Sequence, residues 1–374
     1  MYATVKDIMS FMESIAPSAL AEDWDNTGLA VGAEDHGVKK VLVALDVIDP
    51  VVDEAVKLGA DLILTHHPML LFRKINSITK QDALGRRIYR LIETEIAAFS
   101  AHTNLDVAKG GTNDILAELI GLTDIEILEE TWAEALKKLV VYVPESHLEA
   151  VRDAMGGAGG GHIGNYSHCT FQTAGEGTFL PLAGTAPFIG KEGVLERTAE
   201  VRLETIAPAG KVSTILQKVR AVHPYEEMAY DVYPVEQKGK TEGIGRIGNL
   251  KQPVTFSELA AVLKKRLNLE GVLRLVGDPN QKIQRVGLCT GSGADFMAAA
   301  KKQGAEVYLT GDLKFHEAQK ALEMGLCVAD ITHYASEVLV VPVLQKALLQ
   351  EARARGWDLE VVCSEVNGQT FWTV

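Results

Sequence analysis

Two adjacent histidines, His66 and His67, close a short apolar run that begins at Asp61. Pro68 follows them, and because proline lacks a backbone N–H group it prevents the predicted strand from continuing. Adjacent strand residues point to opposite faces, so two such imidazoles cannot easily bind one ion together. Their position at the end of a strand therefore favours a site with two metal ions.

Further histidines and carboxylates follow later predicted strands. His102 and Asp106 come after one apolar run, and His333 and Glu337 come after another. Each pair is four residues apart, a spacing that places both side chains on one face of a helix. Neutral imidazole and carboxylate suit zinc, iron and manganese. The candidate metal ligands are therefore His66, His67, Asp106, His333 and Glu337.

Carboxylates in this set predict a particular chemistry. Asp106 and Glu337 would bridge two ions about 3.5–4 Å apart, the separation found in two-metal hydrolytic sites. A water between such ions is acidified towards hydroxide at neutral pH. The pattern thus favours metal-assisted hydrolysis.

Asp312 and His316 are candidate catalytic residues. They are four apart, after a predicted strand at residues 306–310, and could carry protons to or from a substrate. Three other roles remain open for both residues and for His102. Each could contact substrate, orient a metal ligand through a hydrogen bond, or cap a helix. The Gly-Ser-Gly turn at residues 291–293 is a weaker candidate for positioning an anionic group.

The elements that must position these residues alternate between strands and helices, which predicts an α/β fold with a parallel sheet covered on both faces. Ligands of such sheets bind beyond the carboxyl ends of the strands, where the candidate residues lie. Residues 59–65 (GADLILT) and 304–310 (GAEVYLT) match in position and chemistry. One strand later, each half ends in His-x-x-x-carboxylate. We expect two related α/β halves, residues 1–128 and 241–374, that form one metal-binding unit.

Residues 129–240 have a different pattern. A strand and a helix lead to two short strands near residues 169–173 and 177–180, and a second strand, helix and strand follow. Two βαβ-like halves joined in this way are typical of a ferredoxin-like α+β sandwich. We expect an inserted domain between the two metal-binding halves.

Composition excludes several classes of function. The net charge of −13 argues against non-specific binding to nucleic acid, which depends on basic residues. No apolar stretch reaches the ~18 residues that a membrane span requires. The four cysteines have no CxxC spacing, so neither a disulfide framework nor a structural zinc knot is indicated. We expect a soluble, cytoplasmic protein with no membrane or nucleic-acid partner.

Several long motifs resemble a known family. They are WDNTGLAVG (24–32), LTHHPML (64–70), SAHTNLDVAKGGTND (100–114), TGDLKFHEA (310–318) and THYASE (332–337). In the same order, they resemble the GTP cyclohydrolase 1 type 2 homologs over about residues 1–125 and 245–374. The middle segment, with HPYEEMAYDVYPV at 223–235, is similar to the PII-like insert of the longer bacterial members.

The resemblance implies a toroidal homohexamer with two divalent ions (zinc, iron or manganese) in each subunit. The ligand motifs of the family map onto His66, His67, Asp106, His333 and Glu337. They imply a metal-dependent hydrolase that opens or cleaves a small nucleotide-like substrate, with ring opening of GTP as one option and phosphoester or amide hydrolysis as others. The name of a family does not establish its reaction.

A second function class stays open. The ion pair would then be cargo or structural in a non-catalytic metal-handling or regulatory hexamer, and the PII-like domain would sense a small molecule. The sequence does not choose between the native metals.

Overall fold

The computed structural model describes residues 2–69, 77–269, 271 and 273–371. The chain forms two compact units. Unit 1 comprises Met1–Trp132 and Glu242–Val374, and unit 2 comprises Ala133–Thr241. The sequence placed the insert at residues 129–240. The boundaries between the units lie inside long strands rather than in flexible linkers, because both boundary residues fall within strands of more than twenty residues.

Helices and strands alternate along most of the described chain. The first part of unit 1 contains β1 (Ala3–Thr4), α1 (Val5–Ile15), β2 (Gly28–Val31), β3 (Gly37–Val38), β4 (Lys40–Ala44), α2 (Asp49–Leu58), β5 (Leu62–Thr65), α3 (Ala83–Glu93), β6 (Ala97–Ser100), α4 (Thr103–Val107) and α5 (Thr112–Ile120). Then follow β7 (Thr123–Pro144), α6 (Leu148–Gly157), β8 (Thr170–Phe179), β9 (Glu196–Pro208), α7 (Val212–Arg220) and β10 (Tyr230–Thr255). The last part of unit 1 contains α8 (Phe256–Arg266), β11 (Arg274–Val276), β12 (Lys282–Leu288), α9 (Met297–Lys302), β13 (Val307–Thr310), α10 (Phe315–Glu323), β14 (Cys327–Asp330), α11 (His333–Glu337), α12 (Val340–Arg355) and β15 (Glu360–Cys363).

Unit 1 contains two sheets with parallel strands at their centres. One has the strand order β15-β4-β5-β6-β2, in which only the pairing of β2 with β6 is antiparallel. In the other, β12, β13 and β14 are parallel, and β11 and β10 pair antiparallel at either side of them. The central strands are buried along their whole length and apolar up to the last residue of each, as expected for strands covered on both faces. The mixed α/β class predicted from the sequence is confirmed.

The same sequence of elements occurs twice in unit 1. A helix leads to a central strand (α2 to β5, and α9 to β13), a second helix leads to the neighbouring parallel strand (α3 to β6, and α10 to β14), and a helix of five residues follows (α4, and α11). Each short helix begins within three residues of the end of its strand. The match between residues 59–65 and 304–310 therefore marks equivalent strands, β5 and β13.

Unit 2 has the element order β-α-β-β-α-β and the strand order β10-β7-β9-β8. Its core lies between the sheet and the two helices, with Val141, Leu203, Val151 and Ile215 fully buried. The two short strands predicted near residues 169–173 and 177–180 are one strand, β8, which pairs with β9 over ten residues. That prediction was wrong because β8 is an edge strand with mostly exposed side chains, so its apolar pattern is weak and its glycines need not end it.

No helix in the described part of the chain is both long enough and apolar enough to cross a bilayer.

Arg246 joins the two sequence-distant parts of unit 1. Its guanidinium is buried and donates two hydrogen bonds to the carboxylate of Asp114 in α5, at 2.6 and 2.9 Å. It also donates to the carbonyl oxygens of Gly243 and Gly245, both at 2.8 Å. Two parallel bonds to one carboxylate match the fixed geometry of arginine. Asp114 and α5 are thereby tied to β10.

We expect Arg246→Met to lower the free energy of unfolding by about 3–5 kcal/mol, because it removes the buried guanidinium that pairs with the carboxylate of Asp114, which is only 16% exposed. Urea denaturation measures the change. Arg355→Met is the matched control, since the pair of Arg355 with Glu351 lies on the surface and such pairs contribute about 0–1 kcal/mol. Equal losses in the two variants would contradict the structural role of Arg246.

Candidate metal centre

The candidate ligands follow the carboxyl ends of three strands in unit 1. His66 and His67 come directly after β5, Asp106 lies in α4 after β6, and His333 and Glu337 begin and end α11 after β14. Backbone hydrogen bonds continue past the strands and hold these ends in register. Examples are Ala101 N to Thr65 O (3.0 Å) and His67 N to Leu45 O (2.9 Å) in one sheet, and Ile331 N to Thr310 O (2.8 Å) in the other. Both sheets therefore deliver side chains to one site.

Glu337 lies at the centre of the site. Its Oε2 atom is 2.9 Å from Nε2 of His67 and 3.0 Å from Nε2 of His333. Its Oε1 atom is 3.8 Å from Nε2 of His66, which is also 3.5 Å from Oδ1 of Asp106. The five predicted ligands thus lie together, although they are up to 271 positions apart in the sequence (337 − 66).

His102 joins this group. Its ring centroid is 5.2 Å from that of His66 and 5.5 Å from that of His67. Three sets of ligand atoms each lie within 4.8 Å of one another: His66, His67 and His102; His67, His333 and Glu337; and His66, Asp106 and Glu337. Each set could hold a metal ion. The sequence left the role of His102 open, and the structure makes it a sixth candidate ligand.

In all four imidazoles, Nδ1 is anchored by a hydrogen bond and Nε2 is directed into the site. In each, Nδ1 lies within hydrogen-bond distance of an oxygen that can only accept: Ala101 O for His66 (2.9 Å), Asp46 Oδ1 for His67 (2.7 Å), Asp25 Oδ1 for His102 (2.9 Å) and Asp312 Oδ2 for His333 (2.8 Å). Nδ1 therefore carries the proton, and a neutral ring directs the lone pair of Nε2 into the site. Hydrogen bonds of this kind fix the tautomer and increase the basicity of a metal-binding histidine.

The surroundings of the His66 side chain indicate whether the site suits a cation. The side chain is fully buried, and among the described residues Nε2 has no hydrogen-bond partner. Its distances to the oxygens of Asp106 and Glu337, 3.5 and 3.8 Å, are too long for hydrogen bonds. A buried lone pair that faces two carboxylates is unfavourable unless a positive charge lies between them. The donor set of imidazoles and carboxylates fits a divalent cation.

The two buried carboxylates have opposite pKa shifts. Burial raises the pKa of Asp106 above its usual value, and the nearby imidazole of His66 only partly offsets this. Burial acts in the same direction on Glu337, but the hydrogen bond from His333 and the contacts with His66 and His67 outweigh it and hold the pKa well below the usual value. Glu337 is therefore the permanent negative charge of the site.

His67 and His333 have raised pKa values when only protein groups surround them. Burial lowers the pKa of His67, but hydrogen bonds to Asp46 and Glu337 raise it to about 10. For His333, the opposing contacts with Glu337 and Asp312 outweigh burial and raise the pKa to about 9.

The backbone around the site is strained. Thr332, directly before His333, has φ 65° and ψ 149°, a conformation that β-branched residues rarely adopt. Asp312 also has a positive φ, of 55°. Gly311, directly before Asp312, approaches the backbone of His333 so closely that a Cβ atom there would lie 2.5 Å from His333 N. The loops after β13 and β14 are pressed together, which fixes Asp312 beside His333.

The two predicted catalytic residues have different environments. Asp312 contacts the site through its hydrogen bond to His333. His316 is exposed on α10, where Nδ1 is 2.9 Å from Oε1 of Gln319. Within the described ranges, no hydrogen bond, ion pair or ring contact joins His316 to the candidate ligands. Its role as a proton carrier stays a prediction.

The Gly-Ser-Gly turn is not arranged to bind an anion. The amide of Gly291 donates to Oγ of Ser336 (3.0 Å), and that of Gly293 donates to Oγ1 of Thr310 (2.9 Å). The glycines serve close packing instead, since a Cβ atom on Gly291 would lie 2.3 Å from Oε1 of Glu337. The turn forms a wall of the site.

Sequence reasoning missed the residues that orient the ligands. Asp25 and Asp46 hold His102 and His67, and the hydroxyl of Thr112 donates to Asp106. Asp46 carried a weak signal, because it follows a buried strand of the same sheet. Asp25 lies in a polar loop 77 residues before its partner, and no local spacing indicates that pairing.

The chain is similar to known proteins over nearly its whole length. The model of the family described as Duf34/NIF3 (NGG1p interacting factor 3) matches residues 3–369. A Bacillus subtilis protein named "GTP cyclohydrolase 1 type 2 homolog" is 43% identical over 366 residues, 98% of this chain and 97% of that protein. The crystal structure of a Bacillus cereus protein related to NIF3 has a TM-score of 0.89 and 42% identity, with full coverage of both chains. A Staphylococcus aureus structure has a TM-score of 0.83 and 30% identity, covering 100% of this chain and 99% of that one.

We expect metal uptake at pH 7.5 to release at least about two protons per subunit, because protonated His67 and His333 must each lose a proton from Nε2 and the pKa of His66 is raised as well. The pKa values of His67 and His333 both lie above the usual 6.5. The stabilising contacts of the charged imidazoles are therefore fully present below pH 6.5 and are lost as the pH rises through about 9 and 10. Proton release should accordingly fall above pH 10. Titration calorimetry of Zn²⁺ in buffers of different ionisation enthalpy measures it. Uptake without protons at pH 7.5 would contradict the prediction.

We expect Asp46→Ala to weaken metal binding by about 10- to 100-fold, because His67 loses the acceptor that fixes its tautomer. Competition with a chelator of known affinity measures the change. Asp49→Ala is the matched control: Asp49 follows the same strand, but its carboxylate binds Arg87 on the surface. An unchanged affinity in Asp46→Ala would show that His67 is not a ligand or needs no anchor.

Proposed function

The chain belongs to the Duf34/NIF3 family, and we propose that it is a metal-dependent hydrolase that binds two divalent ions and acts on a small nucleotide-like substrate. The observation that carries this proposal is the position of Glu337. It belongs to two of the three ligand sets, one with His66 and Asp106 and one with His67 and His333. A carboxylate shared by two sets of ligands supports a pair of ions rather than a single one.

Two ions held by these six side chains would act as Lewis acids and lower the pKa of a coordinated water towards neutrality. The chain itself provides orientation and exclusion of water. Asp46, Asp25 and Asp312 hold the imidazoles of His67, His102 and His333. His66 and Glu337 form a fully buried floor, whereas the side chains of His333 and Asp312 are 36% and 48% exposed. A substrate would enter from that exposed side.

Asp312 is the better placed of the two candidate proton carriers. It is close to a ligand and half exposed, so it can accept a proton at the site and exchange it with solvent. The names of the relatives support a nucleotide substrate, with ring opening of GTP as the first reaction to test. Phosphoester and amide hydrolysis use the same ligands. Zinc, iron and manganese each suit the imidazoles and carboxylates.

We further propose a homohexamer in which unit 2 is a PII-like domain that binds a small molecule. The β-α-β-β-α-β order of unit 2 supports this proposal. Light scattering of the full chain tests it, with six times the mass of one chain as the expected result. A monomer or dimer would contradict it.

Turnover is the decisive experiment for the hydrolase. Metal-loaded protein incubated with GTP and a panel of other nucleotides should form product, and His67→Ala should reduce the rate to the background. His36→Ala is the matched control, since His36 lies outside all three ligand sets and its loss should leave the rate unchanged.

The outcome separates two classes of protein. Product formation that His67→Ala abolishes supports the hydrolase. Tight ion binding without turnover of any nucleotide would contradict it and favour the metal-handling or regulatory assembly instead.

A further inference from the structure

Asp330 is a carboxylate at the end of β14, and its side chain is only 3% exposed. Its Oδ1 atom accepts a hydrogen bond from the backbone N–H of Thr332 (3.1 Å), and its Oδ2 atom accepts one from that of Leu313 (3.3 Å). Arg274, directly opposite on the antiparallel strand β11, also donates to Oδ2. A buried carboxylate is stable only with such partners. One side chain therefore links the loops that follow β13 and β14.

These two loops carry Asp312 and His333. Leu313 directly follows Asp312, and Thr332 directly precedes His333. The carboxylate of Asp312 accepts a hydrogen bond from Nδ1 of His333 at 2.8 Å. Asp330 itself lies outside all three ligand sets. Its link to the metal centre therefore runs through the backbone of the two loops.

Both loops adopt backbone conformations that must be held in place. Asp312 has φ 55° and Thr332 has φ 65°, values that are unfavourable for residues with a Cβ atom. Such conformations persist only where the surroundings enforce them. Asp330 binds the N–H group of Thr332 itself and the N–H group that follows Asp312. Its carboxylate thus restrains both strained positions at once.

The residue type at position 330 fits this task better than it fits an ion pair. The side chain of Arg274 is 65% exposed, so its charge is largely screened by solvent. The two backbone N–H groups, in contrast, need an acceptor on each side. A carboxylate has two acceptor oxygens, whereas the amide of asparagine has one acceptor and one donor group.

We propose that Asp330 is a positioning residue for one of the two cations. By holding both loops, it keeps His333 in the ligand set that His333 forms with His67 and Glu337. His333 belongs to only this set, and the set that contains Asp106 includes no residue of either loop. Loss of Asp330 should therefore affect one ion and spare the other. The inference rests on the proposed pair of ions, but it does not depend on hydrolysis.

The test is titration of the full chain, stripped of metal, with Co²⁺, whose visible absorption reports the ligands of each bound ion. We expect the wild-type protein to bind two ions per subunit. Asp330→Asn should weaken binding of the second ion by about 10- to 100-fold, the range for loss of a group that orients a metal ligand. It should also change the absorption of that ion, while the first ion binds as in the wild-type protein. Asparagine can hold only one of the two loops, because its second terminal group is a donor.

Asp330→Ser is a second variant, in which no amide donor faces the backbone N–H groups. Its hydroxyl is too short to replace both oxygens of the carboxylate. Ser100, the last residue of the equivalent strand β6, is 2% exposed, so a serine is compatible with a buried strand end of this kind. Asp330→Ser should weaken the second ion as Asp330→Asn does.

Two control variants separate positioning of His333 from other effects. Arg274→Gln removes the charge beside Asp330 but leaves the two backbone hydrogen bonds, so both ions should bind as in the wild-type protein. Glu306→Ser is matched to Asp330→Ser. The Oε2 atom of Glu306 also accepts two backbone hydrogen bonds, from Gln284 (2.5 Å) and Arg285 (3.0 Å), but Glu306 directly precedes β13, at the opposite end from the site. Its loss should lower the stability to urea and leave both ions in place.

The outcomes are separable. A weakened second ion in both Asp330 variants, with the first ion and the folded structure unchanged, supports the inference whether or not any nucleotide is hydrolysed. Equal weakening of both ions, an unchanged second ion, or the same weakening in Arg274→Gln or Glu306→Ser overturns it and leaves the proposed pair of ions intact. Unfolding of both Asp330 variants also overturns it, because the carboxylate would then serve the fold as a whole. Binding of fewer than two ions by the wild-type protein contradicts the pair of ions itself, and the inference fails with it.

Discussion

The structure of the site depends on how its four imidazoles are held. In each, Nδ1 donates to a fixed oxygen, which leaves Nε2 to take part, with Asp106 and Glu337, in three overlapping sets of ligand atoms. Lone pairs and carboxylates brought together in a buried space repel one another and have lost their hydration. Positive charge must compensate, either as protons on His66, His67 and His333, whose pKa values are all raised, or as bound cations. The fold imposes this choice because the oxygens that anchor Nδ1 can only accept hydrogen bonds, so each Nε2 atom stays directed at the site.

The scaffold maintains this unfavourable cluster through repeated local structure. Two equivalent segments, each a central strand followed by a helix, a parallel strand and a five-residue helix, bring α4 and α11 to the same region. Close packing then fixes the details, as Gly311 lies against the backbone of His333 and Thr332 adopts a strained conformation. Strain of about 1–3 kcal/mol at such a residue persists only where the surroundings enforce it. Here it sets the position of His333 relative to Glu337.

Sequence reasoning succeeded where the signal was local. The ends of β5 and β14 are marked by abrupt changes from apolar to polar residues, and parallel strands gather their carboxyl ends at one edge. His66 and His67 could therefore be placed at the end of one strand, and His333 and Glu337 after another. The sequence predicted one parallel sheet, whereas β5 and β14 belong to two different sheets that meet at the site. Asp25 and Asp46 could not be paired with His102 and His67, because those contacts join residues 77 and 21 positions apart. The Gly-Ser-Gly turn misled for a related reason: the hydroxyls of Thr310 and Ser336 that occupy its amides come from other segments.

The opposite pKa shifts of the two buried carboxylates indicate how protons and cations compete for the site. Glu337 keeps its charge because three imidazoles surround it, whereas burial raises the pKa of Asp106 and favours a proton there. The hydroxyl of Thr112 donates to Oδ1 of Asp106, the oxygen that also faces Nε2 of His66. A cation bound between His66 and Asp106 would favour the charged carboxylate and so oppose the effect of burial on this pKa. The protonation state of Asp106 therefore depends on whether a cation is bound at the site. Glu337 stays negatively charged in both cases.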